Sequence, residues 1–132
     1  MKPLLDTHIL LWWFTQSPRL PASYRTLLAQ ASPENPLWLS EISLWEIAML
    51  HSLGRIELRL PLHEWLEKAT AAPLVHRIGI SPVIAAEVAA LPETFHRDPA
   101  DRIIVATARV LEATLLTCDQ AIREARLVPV LD

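Results

Sequence analysis

Five short apolar runs, separated by longer helical patterns, constrain this chain more than any other feature of its sequence. The runs are Pro3 to Leu5, Leu37 to Leu39, Leu74 to Ile78, Thr114 to Thr117 and Val128 to Val130. Each is too short for a helix and is bounded by turn or helix-start residues, so each reads as a buried strand. Cap and breaker residues delimit helices over about 7–15, 22–31, 42–53, 62–71, 82–91, 99–111 and 120–126. Strand followed by helix, repeatedly, predicts an α/β fold: an open, mostly parallel five-stranded sheet with helices on both faces. Ligands of such sheets bind beyond the carboxyl ends of the strands. The 132 residues are expected to form a single domain over 1–132.

Several function classes fall on composition. Only Gly54 and Gly79 are glycine, so a Gly-rich phosphate cradle cannot be assembled. Cys118 is the only cysteine, which excludes an intramolecular disulfide and any cluster needing two protein sulfurs, and points to a reducing, cytoplasmic setting. The apolar run Ile9 to Phe14 is far short of the roughly 18 residues needed to span a bilayer, and Asp6 interrupts what would be a signal peptide. A soluble protein with no membrane partner is expected. The net charge of -3 argues against a broad basic surface. If four carboxylates are held by metal, however, the remaining charges nearly balance. Ten of the twelve basic residues are Arg, which pairs phosphate oxygens bidentately without a large charge excess.

Aspartate occurs at only five positions, Asp6, Asp98, Asp101, Asp119 and Asp132, with none from 7 to 97. Asp6 directly follows the first strand and Asp119 lies two residues beyond the fourth. Asp98 and Asp101 open the helix before that fourth strand, so all four can gather at one edge of the sheet. Helix capping is the plain alternative, because an Asp at an N-cap meets unpaired N–H groups and the positive end of the helix dipole. It suits Asp98 best, since Pro99 follows at the first helical position. For Asp6 and Asp119, capping and ligation stay equally open.

Glu46 tips the balance. On its helix Ile42, Trp45, Glu46, Met49, Leu50 and Leu53 follow the spacing of one buried stripe, which puts a carboxylate amid an apolar face. An unpaired buried carboxylate costs several kcal/mol at least, so it must be protonated, paired with an Arg at the stripe edge, or bound to metal. Acids converging from a strand end, a helix face and further strand ends make an oxygen-rich, sulfur-free site of the kind that selects Mg²⁺ or Mn²⁺. Phosphodiester hydrolysis is the chemistry such sites commonly serve.

Four blocks carry a family resemblance: LLDTHILLWW from Leu4, LSEISLWEIAMLHSLGRIEL from Leu39, LPETFHRDPADRIIVATA from Leu91 and LLTCD from Leu115. In order and spacing the chain resembles the PIN-domain ribonucleases, specifically the VapC-like toxins of prokaryotic type II toxin–antitoxin pairs. The resemblance implies a metal-dependent endoribonuclease toxin with a PIN fold. Asp6, Glu46, Asp101 and Asp119 match the family's acidic quartet, which holds one or two divalent ions and the attacking water. Thr7, Ser40, Ser43 and Thr117 match hydroxyl positions around the site. Asp98 and Arg102 match supporting positions, one of them pairing within the cluster or with phosphate. The implied partners are an RNA substrate, a VapB-like antitoxin that can push a basic side chain among the acids, and a second copy in a homodimer. Two departures stand out: Ala100 where many relatives have a large aromatic, and Leu50 where a Lys is frequent.

Other signals are weaker. His63-Glu64-Trp65-Leu66-Glu67 lacks the second histidine of a zinc-protease helix, and His8, His51, His76 and His96 share no short metal-site spacing. His96 is expected to support the turn at Asp98. The five tryptophans are expected mostly in the core, with adjacent Trp12 and Trp13 pointing apart, one inward and one outward. A phosphotransfer receiver needs a mid-chain aspartate that is missing, and a haloacid-type phosphatase needs Asp where His8 stands. A binding scaffold without chemistry and a nuclease for structured DNA remain as rivals; the intact quartet disfavours the first and the small size the second.

Overall fold

The structure, a computed structural model, describes residues 1–96 and 98–132; Arg97, inside the HRDPAD block, lies outside the described residues. Four strands form one parallel sheet in the order β3-β2-β1-β4, with β1 Pro3–Leu5, β2 Leu37–Ser40, β3 Val75–Ile78 and β4 Thr114–Leu116. The helices are α1 Thr7–Phe14, α2 Ala22–Leu28, α3 Ile42–Ser52, α4 Leu62–Ala69, α5 Pro82–Ala90, α6 Pro99–Leu111 and α7 Gln120–Ala125. All seven expected helices are present.

The pleat divides the core in two. Alternate side chains of a strand point to opposite faces, so Leu5, Leu37, Leu39 and Leu116 pack with Ile9, Leu10, Tyr24, Leu28, Ile47 and Trp65 of α1 to α4. Leu4 and Leu115 pack on the other face with Ile84, Ile104, Val105, Ala108 and Ile122 of α5 to α7. With every strand parallel, the turns after Leu5, Ser40 and Leu116 emerge at the same edge.

The expected fifth strand is absent as a strand. Val130 makes a single parallel bridge to Leu115, through Leu115 N–H to Pro129 O at 2.9 Å and Leu131 N–H to Leu115 O at 3.0 Å. The next rung would join Thr117 N–H to Leu131 O, but the Tyr24 hydroxyl stands between these two groups and bonds to both. Pro129 has no N–H to offer the ladder on the other side.

The buried face of α3 also differs from expectation. Ser43 and Ile47 are buried, whereas Trp45 is 55% and Leu53 58% exposed. The helix is apolar on nearly all sides, so periodicity does not choose its inward face. Contact with α1 and the sheet does, and it leaves Glu46 half-buried at the margin of the stripe instead of within it.

A candidate metal centre at the carboxyl edge of the sheet

The edge where β1 and β4 end carries the acids because three helices start there. Asp6 caps α1, its Oδ1 accepting the Thr7 N–H at 2.8 Å. Asp98 caps α6 through Asp101 N–H at 3.1 Å, and Asp119 caps α7 through Ile122 N–H at 3.0 Å. The capping reading is therefore correct for Asp6, Asp98 and Asp119, and it does not exclude the other: each cap uses one carboxylate oxygen of two.

The same residues line one cavity of about 400 Å³, together with Glu46, Asp101, His8, Trp12, Arg19 and Cys118. The four acids singled out by the sequence thus meet, from the end of β1, from α3, from the first turn of α6 and from the turn after β4. The Thr7 and Ser43 hydroxyls, 2.8 Å apart and buried, hold the start of α1 against α3. Glu46 lies three residues past Ser43, on the same side of the helix.

Thr117 links two of the acids. Its hydroxyl donates to Asp6 Oδ2 at 2.6 Å and accepts the Asp119 N–H at 3.0 Å. Ser40 is buried, but its hydroxyl accepts the Ile42 N–H at 3.3 Å and so serves the start of α3. Arg102 pairs with backbone carbonyls. Its guanidinium donates to the carbonyls of Val88, Leu91, Pro92 and Phe95 at 3.3–3.4 Å and lies over the Phe95 ring, fastening the turn between α5 and α6. It has five donors in a rigid fork, which suits a turn where four carbonyls converge, two of them, those of Leu91 and Phe95, at the end of α5 and in the turn beyond it.

The acids are held in an environment hostile to their charge. Burial pushes the Asp6 carboxyl above the usual range, against the lowering effect of its bonds from Thr117 and Thr7. Burial does the same to Glu46, opposed by the Thr7 hydroxyl and reinforced by the charges of Asp6 and Asp98. Asp101 is pushed up to about 8, first by burial and then by Asp6, Asp98, Asp119 and Glu46. A divalent cation among these oxygens would relieve both causes at once. The donor set, all carboxylate apart from one imidazole, fits such an ion.

That imidazole was not anticipated. His96 Nε2 is buried, has no well-aligned hydrogen-bond partner and lies 3.3 Å from Asp101 Oδ2, so His96 faces Asp101 and not the turn at Asp98. A ring nitrogen of His96 and carboxylate oxygens of Asp101 and Asp119 lie within 4.8 Å of one another. The spacing from His96 to Asp101 spans a loop and a helix start, which no short metal-binding pattern describes. The tryptophans also divide differently from expectation. Trp65 is buried, Trp45 is exposed, and Trp12 and Trp13 are both half-buried, with Trp12 on the wall of the acidic cavity.

Against known proteins, the PIN domain family model matches residues 4–127. This chain belongs to the PIN domain family. It is 37% identical over 123 residues to Ribonuclease VapC22 of Mycobacterium tuberculosis, covering 93% of this chain and 91% of that protein. The PIN fold is shared with the crystal structure of VapBC2 from Rickettsia felis bound to a DNA fragment from its promoter. There the TM-score is 0.73 at 18% identity, over 99% of this chain and 98% of that one. It is also shared with FitAcB from Neisseria gonorrhoeae, at a TM-score of 0.70 and 21% identity over 98% and 96% of the two chains. No helix among the described residues of this PIN domain is long and apolar enough to cross a membrane.

Proposed function

We propose that this PIN domain is a Mg²⁺- or Mn²⁺-dependent endoribonuclease acting as the toxin of a type II toxin–antitoxin pair. The observation that carries the proposal is the convergence of Asp6, Glu46, Asp101 and Asp119, from four separate parts of the chain, on one cavity where three of them have raised pKa values. The identity to Ribonuclease VapC22 supports RNA as the substrate.

In this reading the four acids hold the ion, and His96 stands close enough to Asp101 to orient its carboxylate. A divalent cation held by the acids would supply a lowered pKa for an attacking water and charge neutralisation for the leaving oxygen of the phosphodiester. Asp6 is fixed by two hydrogen bonds, from Thr7 N–H and the Thr117 hydroxyl, so its oxygens are set before any ion arrives. Asp119 spends one oxygen on its helix cap and has the other for the site. Arg19, on the cavity wall, supplies a positive charge where an RNA phosphate must approach. Water attacks phosphorus in line with the departing 3′ oxygen, which leaves a 5′-phosphate and a 3′-hydroxyl.

The proposed partner is a VapB-like antitoxin, which fits the VapBC2 and FitAcB complexes among the structural relatives. A basic antitoxin side chain among the acids would both compete with the ion and block RNA. We further take residues 1–132 as one cytoplasmic domain that pairs as a homodimer, for which light scattering is expected to give about twice 14.9 kDa. A mass of one chain would remove the dimer.

The test is cleavage of a pool of single-stranded and hairpin RNAs by purified, antitoxin-free protein in Mg²⁺, Mn²⁺ or EDTA, beside Asp6→Ala. Metal-dependent cutting that disappears in Asp6→Ala is expected, with a loss of at least a hundredfold. No cutting of any RNA by folded protein would favour a binding scaffold, and cutting confined to structured DNA would favour the other rival.

A further inference from the structure

Away from the acidic cavity, a buried polar knot joins α2, β4, α7 and the segment at Leu131. Tyr24 is 1% exposed, on the inward face of α2, yet its hydroxyl carries four contacts. It accepts the Thr117 N–H at 3.3 Å and an Arg123 N–H from Nη2 at 2.8 Å. Its own proton lies between two carbonyl oxygens, those of Thr117 and Leu131. Arg123 adds bonds from Nε to Thr117 O at 3.0 Å and from Nη2 to Leu131 O at 3.1 Å. The two side chains thus stand where the β4 ladder would have continued. They satisfy the amide and carbonyl of Thr117 that the missing rungs leave without strand partners.

This matters because Thr117 is the residue whose hydroxyl bridges Asp6 and the Asp119 amide. A strand continuing past Leu116 would keep the pleat and the ladder through Thr117. Instead, the backbone at Thr117 is gripped from the side by a phenol and a guanidinium, and the chain turns directly into the Asp119 cap. The position of the Thr117 hydroxyl, and through it the separation of the Asp6 and Asp119 carboxylates, therefore depends on groups that touch neither acid.

We propose that Tyr24 and Arg123 are positioning residues of the metal centre, which set its affinity for the divalent ion by fixing Thr117. The inference rests on the metal-centre reading given above. Neither residue touches substrate or ion. Outer groups that orient metal ligands typically change affinity by about 10- to 100-fold when removed, and a knot two bonds from each acid is expected near the lower end.

Mn²⁺ titrations followed by electron paramagnetic resonance test this, on wild type, Tyr24→Phe, Arg123→Lys and two controls. Tyr24→Phe keeps the buried ring and removes the hydroxyl. Arg123→Lys keeps the charge and loses the fork that reaches Thr117 and Leu131 together. Leu28→Val trims the core under the same helix and leaves every bond of the knot, and Asp6→Asn removes a ligand. The expected result is a dissociation constant for Mn²⁺ raised about tenfold in Tyr24→Phe and in Arg123→Lys, and unchanged in Leu28→Val. On RNA, kcat of both variants falls at limiting Mn²⁺ and recovers at high Mn²⁺, while KM for RNA holds. Folded Tyr24→Phe or Arg123→Lys protein with wild-type Mn²⁺ affinity would overturn the proposal and leave the metal centre standing. Wild type without saturable Mn²⁺ binding that Asp6→Asn abolishes would overturn both.

Discussion

Asp101 is the residue on which charge, folding and ion binding meet. Its carboxyl pKa of about 8 means that without an ion it is mostly protonated at pH 7. In the unfolded chain the same group ionises near 4, so between about pH 4 and pH 8 the folded protein holds a proton that the unfolded one has lost. Stability of the metal-free protein therefore falls as pH rises through that window, and Asp6 and Glu46, shifted the same way, add to the slope. Thermal melts in EDTA are expected to show a lower Tm at pH 8 than at pH 5, and Asp101→Asn to flatten the difference. Ion binding must displace the proton, so calorimetry at pH 7 in buffers of different ionisation enthalpy is expected to report release of about one proton per site. The acids themselves were legible in the sequence because aspartate is so scarce between residues 7 and 97. His96 and Tyr24 were not: His96 meets Asp101 only five residues on but at a spacing that no metal-site pattern flags, and Tyr24 acts through Thr117, 93 residues away.

At the scale of elements, α6 shows how one segment serves both the fold and the site. Asp98 caps its first turn and also lines the cavity. The two roles separate by substitution: Asp98→Asn keeps a good cap and is expected to hold its stability, whereas Asp98→Ala is expected to lose about 1 kcal/mol, both read by urea unfolding. Arg102, one turn in, faces the α5–α6 turn instead. Arg102→Ala leaves the Leu91 and Phe95 carbonyls short of a donor and is expected to cost about 2 kcal/mol, with Mn²⁺ affinity within twofold of wild type. A loss of ion or RNA binding without a loss of stability would instead return Arg102 to the site. Element existence was readable from cap residues and apolar runs, so all seven helices and four of five strands stand. The failures have physical causes. An all-round apolar α3 gives no periodic signal for its inward face, and a ladder at Val130 is cut short by a tyrosine that arrives from another helix.

The whole molecule is a parallel sheet whose carboxyl edge collects five acids, between two cores that each reach the site, one through Trp12 on the cavity wall and the other through Phe95 against His96. A chain with net charge -3 can meet a polyanion at this edge because a divalent ion would offset the charge of its clustered acids, and Arg19 stands on the cavity wall beside them. The exposed Trp45, Leu53, Ile80 and Val83 leave apolar surface outside both cores. With a divalent ion bound, the acidic edge is proposed to direct water onto an RNA phosphodiester. Cleavage of a defined RNA in ¹⁸O-labelled water with Mn²⁺, followed by mass spectrometry of the fragments, tests it most directly. The expected fragments carry 3′-hydroxyl ends and 5′-phosphates with one solvent oxygen, and none of either form in EDTA. Fragments ending in 2′,3′-cyclic phosphate, or cleavage that proceeds unchanged in EDTA, would contradict it.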